Sequence, residues 1–146
     1  MTRIYVALLA GLALGLPAAA CAQELIKPGY WESTNRMLSP IRTKEVERRC
    51  ITPADVSKFL MGPSNRHYAC TYPTRVFEGG KISLKGSCVS KKGRRVAVEG
   101  SGTYNQTSFT LTAQVATEFA GVPLSGRVRT EARRLGDVCP APAAGA

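Results

Sequence analysis

Apolar and polar side chains alternate along much of this chain with a period of two, the pattern of strands that bury one face and wet the other. Thr107 to Phe119 is the clearest run: Phe109, Leu111, Ala113 and Val115 alternate with Ser108, Thr110, Thr112 and Gln114. Leu124 to Arg134 follows after a Gly121-Val122-Pro123 turn, with Leu124, Val128 and Ala132 on one side and Ser125, Arg127, Arg129, Glu131 and Arg133 on the other. Before it, Arg94 to Tyr104 lines up Val96, Val98, Gly100, Gly102 and Tyr104. Tyr68 to Ser90 reads as a hairpin turning at Glu78-Gly79-Gly80, because paired glycines supply the positive φ that tight connections need. Tyr30 to Met37 predicts a first strand. After the Ser39-Pro40 turn, Ile41 to Cys50 predicts a second, whose poor alternation suits an edge or an exposed position.

One segment breaks the period. Thr52-Pro53-Ala54-Asp55 is a helix start, with a capping Thr, a Pro at the first turn and an acid three residues on. Val56, Phe59 and Leu60 then share a face, and Gly62-Pro63 ends the segment after about two turns. The fold class that results is α+β and mostly β: a curved antiparallel meander sheet, able to roll toward a barrel, with one short helix.

Length and ends narrow this to one small domain. Arg3, the apolar run Ile4 to Leu16, the breaking Pro17 and the small residues after it look like a secretory signal over 1–22, with cleavage before Gln23. A lipoprotein anchored through Cys21 is the alternative. Residues 23–139 then form a single β-rich domain, and 140–146 (PAPAAGA) read as a disordered tail. Of five cysteines, setting Cys21 aside leaves four: Cys50, Cys70, Cys88 and Cys139. In a small exported domain these read as two disulfides. Three connectivities are possible. A hairpin loop at 78–80 sets Phe77 against Lys81 and, counting outward, Cys70 against Cys88. Sequential pairing, 50–70 with 88–139, stays open, and Pro73 interrupts the count because it lacks a ladder donor.

Charge adds a partner class. The formal net charge is +10, and loss of Arg3 with the signal lowers it to about +9. Two basic sets could hold anions: Lys91, Lys92, Arg94 and Arg95 at a turn, and Arg127, Arg129 and Arg133 along one strand face, where neighbours stand about 6.6 Å apart. In an exported chain the expected anion is an envelope lipid rather than nucleic acid. Trp31, Val96, Val98, Phe109, Leu111 and Val115 form a candidate apolar face that could hold a small lipophilic ligand or pack as a core.

Catalytic signals are poor. His67 is the only histidine, and Asp55 and Asp137 are the only aspartates. No nucleophile elbow accompanies them. Glu45 and Glu47 share a strand side but sit among Arg42, Lys44, Arg48 and Arg49, as compensated surface charge would. Glu32 beside Trp31 could face a saccharide, though a solvated carboxylate next to a core aromatic is commoner. Val98 to Gly102 carries glycines but lies inside a strand pattern with no helix after it, unlike a phosphate loop. The cysteines lack the C-x₂-C spacing of zinc sites. No catalytic residue, metal ligand or cofactor follows from the sequence.

Lys27-Pro28-Gly29-Tyr30-Trp31-Glu32 resembles the opening of the family catalogued as domain of unknown function 3617. Cys50-Ile51-Thr52-Pro53, the Cys70 and Cys88 hairpin, and the closing Arg134-Leu135-Gly136-Asp137-Val138-Cys139 are similar to later family features. The likeness spans essentially the whole mature chain. Val138, inserted before the last cysteine, and the scarcity of Met in the final strands depart from it. The resemblance implies an exported, β-rich protein of Gram-negative bacteria and no particular reaction. The expected role is therefore a periplasmic, non-enzymatic binding or envelope-accessory module. It would carry a small lipophilic ligand in a half-closed barrel, or bind anionic envelope lipids peripherally.

Overall fold

In the computed structural model, which describes residues 25–64 and 67–141, the period-two segments form seven strands. They are β1 (Gly29–Ser39), β2 (Thr43–Ile51), β3 (Tyr68–Glu78), β4 (Lys81–Ser90), β5 (Arg95–Tyr104), β6 (Ser108–Phe119) and β7 (Val122–Gly136), with helix α1 (Pro53–Phe59) between β2 and β3. The expected signal segment and Cys21 lie outside the described residues, as does most of the expected tail. Among the described residues no helix is long and apolar enough to cross a membrane.

All strands belong to one antiparallel sheet ordered β2-β1-β7-β6-β5-β4-β3. The meander of β3 to β7 follows chain order, as the short turns require. The first hairpin does not extend that order at the β3 edge; β1 pairs with β7, the last strand. The end strands β2 and β3 are not paired with each other, so the sheet stays open and the barrel expected as a possibility does not close. Among the described residues β2 is exposed along its length except at Ile51. Its charged side chains blunt that edge against further pairing.

Register carries the alternation across the sheet. Asn35, Thr130, Leu111, Gly102, Ile82 and Phe77 form one cross-strand row. Ala132, Phe109 and Tyr104 belong to the next row on the same side. This face holds most of the core, including Trp31, Ile82, Leu84, Val98, Tyr104, Ala113 and Ala132. Helix α1 lies over it. Its Val56 is buried, and Phe59 packs on Phe77 of β3 and Phe109 of β6 at ring-centroid distances of 5.3 and 5.0 Å. Since α1 also contacts β2, the helix spans between the two edges and the sheet curls around it.

The central hairpin shows two departures that offset each other. Its loop is Gly79-Gly80, both at positive φ, with Glu78 opposite Lys81 and Phe77 opposite Ile82. The three-residue loop expected from the sequence is therefore one residue too long. Further out, Tyr72 and Pro73 together oppose Gly86, a bulge on an edge strand where a missing N–H costs little. That extra residue restores the count, so Cys70 does face Cys88. Gly86 is needed for close approach: an added Cβ would collide with the Thr71 carbonyl and sit 2.8 Å from the Tyr72 Cα. The bulge buries Tyr72, whose hydroxyl donates to the Pro63 carbonyl at 2.7 Å. Gly62 packs flat against the same ring. Tyr72 thereby ties the segment after α1 to the β3 side.

The disulfides are Cys70–Cys88 and Cys50–Cys139, which removes the sequential alternative. The first lies within a hairpin. The second ties the edge strand β2 to the chain just beyond β7, across the intervening β1.

Candidate functional site

The core face does not fill the space beneath the helix. A cleft of about 450 Å³ remains there, floored by Trp31, Phe109, Leu111, Ile82 and Leu84 and walled by Phe59 and Phe77. Ser33, Asn35 and Thr130 give it a polar strip, and Arg49, Asp55 and Lys58 reach its lining from β2 and α1. Its volume falls in the range of about 300–1,000 Å³ usual for small-molecule sites. The aromatic rings run continuously: Trp31 to Phe109 at 6.1 Å, Phe109 to Phe59, Phe59 to Phe77, and Phe77 to Tyr104 at 6.0 Å. Tilted and edge-on contacts of this kind are favourable beyond the area they bury.

Of the candidate apolar face, Trp31, Phe109 and Leu111 line the cleft. Val96, Val98 and Val115 share the same side of the sheet but pack in the core away from it. Sequence reasoning missed the cations at the cleft. Arg49 is the cross-strand neighbour of Trp31 and makes no ion pair with a carboxylate among the described residues. Lys58 pairs with Asp55 at 3.3 Å. Only the register of a strand with no clear alternation could have placed Arg49.

The opening motif, the Cys50 motif and the closing motif meet at one end of the sheet, whereas the Cys70–Cys88 pair lies toward the other end. Trp31 donates its indole N–H to the Lys27 carbonyl at 3.0 Å, and Arg134 donates twice to the Pro28 carbonyl, at 2.8 and 2.6 Å. Arg134 also pairs with Asp137. A Cβ at Gly29 would run into the Arg134 guanidinium. The opening motif is thus clamped onto the closing one, with Ile26 buried beneath.

Glu32 points to the opposite, convex face, between Arg48 at 2.7 Å and Arg133 at 2.8 Å. Hydrogen bonds from Arg48, then Arg133, hold its carboxyl below the ordinary range, and Glu32 in turn raises Arg48. Glu131 is likewise set between Arg36 and Arg129, both at 2.9 Å. The β7 arginine set therefore lies on this face as expected, yet Arg129 and Arg133 are already matched by carboxylates; Arg127 is not, among the described residues. The other basic set, Lys91, Lys92, Arg94 and Arg95, sits at the exposed β4–β5 turn.

Glu45 and Glu47 are exposed on one side of β2, across from Asn35 and Ser33. Strand directions put His67, just before β3, at the opposite end of the sheet from Asp55 and Asp137. Asp55 closes the helix cap: its carboxylate accepts from the Thr52 backbone N–H at 3.0 Å and from the Thr52 hydroxyl at 2.7 Å. Those bonds, the backbone one first, lower its pKa to about 2. Asp137 is lowered by Arg134.

A pH dependence follows. Each of these carboxylates has a folded pKa below its unfolded one, so its contribution is present above the unfolded value and is lost as pH falls toward the folded value. The melting temperature should therefore hold from neutral to about pH 5 and fall between about pH 4.5 and 2. Thr52→Ala should cost about 1 kcal/mol at neutral pH and shrink the acid-sensitive part. Thermal melts across that range check both.

These residues define a disulfide-stapled, single-sheet β protein with an apolar cleft covered by a helix. The chain belongs to the family described as Protein of unknown function (DUF3617), whose match over residues 26–139 takes in every strand, the helix and both disulfides. No curated protein and no solved structure matches the chain.

Proposed function

We propose that this is an exported, non-enzymatic binding module, and that the cleft under α1 holds a small amphiphile: an apolar body against Trp31, Phe109 and Leu111 and an anionic head near Arg49. The observation that carries this is the cleft itself, which is apolar and aromatic inside and presents Arg49, unpaired with any carboxylate among the described residues, where β2 borders it. Two disulfides support an oxidising compartment. The β7 arginines support a peripheral lipid-binding role less well, because carboxylates match two of the three.

Trp31 is the only tryptophan and lies in the cleft floor, so its fluorescence reports on occupancy. Titrating the processed protein with dodecanoate should give a saturable change at one equivalent. Arg49→Gln should weaken dodecanoate roughly tenfold while leaving dodecanol little changed, since only the former presents a charge. Thr130→Phe, which places a ring in the polar strip, should abolish both. A folded protein that binds neither ligand would end this reading.

A further inference from the structure

The apolar side of the sheet runs on past the part that α1 covers. On β6 and β7 it continues through Val115 and Val128 to Leu124, Phe119 and Val122, which are 50 %, 54 % and 56 % exposed. Phe119 and Val122 are directly paired at the last step of that hairpin. Strand directions bring the β1–β2 turn to the same end, where Ile41 is 70 % exposed. The β4–β5 turn reaches it too, because the Arg94 guanidinium lies 4.9 Å from the Phe119 ring centroid.

Cations surround these apolar tips. Arg42, Lys44, Lys91, Lys92, Arg94 and Arg95 are all exposed, and none is ion-paired to a carboxylate among the described residues. Glu45 and Glu118 are the acids nearby. The contrast with mid-sheet is sharp: there Arg36, Arg48, Arg129 and Arg133 all have carboxylate partners.

We propose that this hairpin end docks on an anionic lipid bilayer, with Phe119, Val122, Leu124 and Ile41 entering the boundary between headgroups and acyl chains and the cations resting among the phosphates. Exposed apolar groups mark an interaction site when they cluster, and a bilayer surface satisfies both halves of this one: apolar depth and negative charge. A soluble polyanion would engage the cations and leave the apolar tips in water. The proposal is independent of the cleft.

Vesicle sedimentation of the processed protein tests it, using phosphatidylcholine alone and phosphatidylcholine mixed with phosphatidylglycerol. Retention should require the anionic lipid and weaken as salt rises. Arg94→Gln with Arg95→Gln should lower the partition coefficient about 30-fold, and Phe119→Ser with Val122→Ser about tenfold or more. All four positions are exposed, so far-ultraviolet circular dichroism should be unchanged. Arg129→Gln with Arg133→Gln, which remove like charge from the convex face, should change it less than about threefold. Thr130→Phe should leave it intact. No retention, equal retention on neutral vesicles, or equal losses for the tip and convex arginine pairs would overturn the proposal. So would loss in the arginine pair with none in the Phe119 and Val122 pair, which would leave only an electrostatic contact with phosphates and no apolar insertion.

Discussion

Replacing Trp31 with alanine should remove about 3–5 kcal/mol of folding stability. Small domains have about 5–15 kcal/mol in total, so this one side chain decides whether the fold is comfortably populated. Trp31 is 1 % exposed and is one of the two largest fully buried side chains, with Leu84. Its ring meets Phe109 and its N–H satisfies the Lys27 carbonyl. Truncation would leave a void beside an already open cleft and release the segment 25–28 that precedes β1. Trp31→Phe keeps most of the volume but orphans that carbonyl, and should cost about 1–3 kcal/mol. Urea unfolding followed by circular dichroism gives both values. A loss under about 1 kcal/mol for the alanine variant would show that the core is centred elsewhere.

Removal of the Cys50–Cys139 bridge as Cys50→Ser with Cys139→Ser should cost about 4–5 kcal/mol, against about 3 for Cys70→Ser with Cys88→Ser. The order follows from the lengths of chain closed, with sequence separations of 89 and 18. It also follows from position, since the longer bridge fastens an exposed edge strand to the chain just beyond β7. Reductant should lower the melting temperature of the native protein substantially, and peptide mapping without reduction should recover these two pairs. Four free thiols, or a larger loss from the hairpin bridge, would contradict the arrangement.

Much of the fold was legible because alternation is a direct record of which face is buried. β6 shows it most clearly and β5 and β7 in good part, and their registers keep Val98, Ala113 and Ala132 on the core side. The helix was legible through chemistry local to Thr52, Pro53 and Asp55. Strand order was not. Nothing in residues 29–39 states that their partner lies a hundred residues away; that pairing depends on long-range contacts such as Asn35 with Thr130. The bulge at Tyr72 and Pro73 was half legible, since proline signalled an irregularity but not its size. The cleft depends on curvature and on where α1 lies, both of which are tertiary. Hence Phe109 and Trp31 could be assigned to a face, whereas Arg49 could not be assigned to a site.

The pairing of β1 with β7 has a kinetic consequence. Until the last strand has been synthesised, β1 and β2 have no sheet to join, and the meander lacks the clamp that Arg134 and Cys139 supply. A topology so dependent on distant contacts folds slowly. The hairpins of β3 to β6 can pair locally as they emerge, but the seven-stranded sheet is completed only when β7 arrives to bridge them to β1.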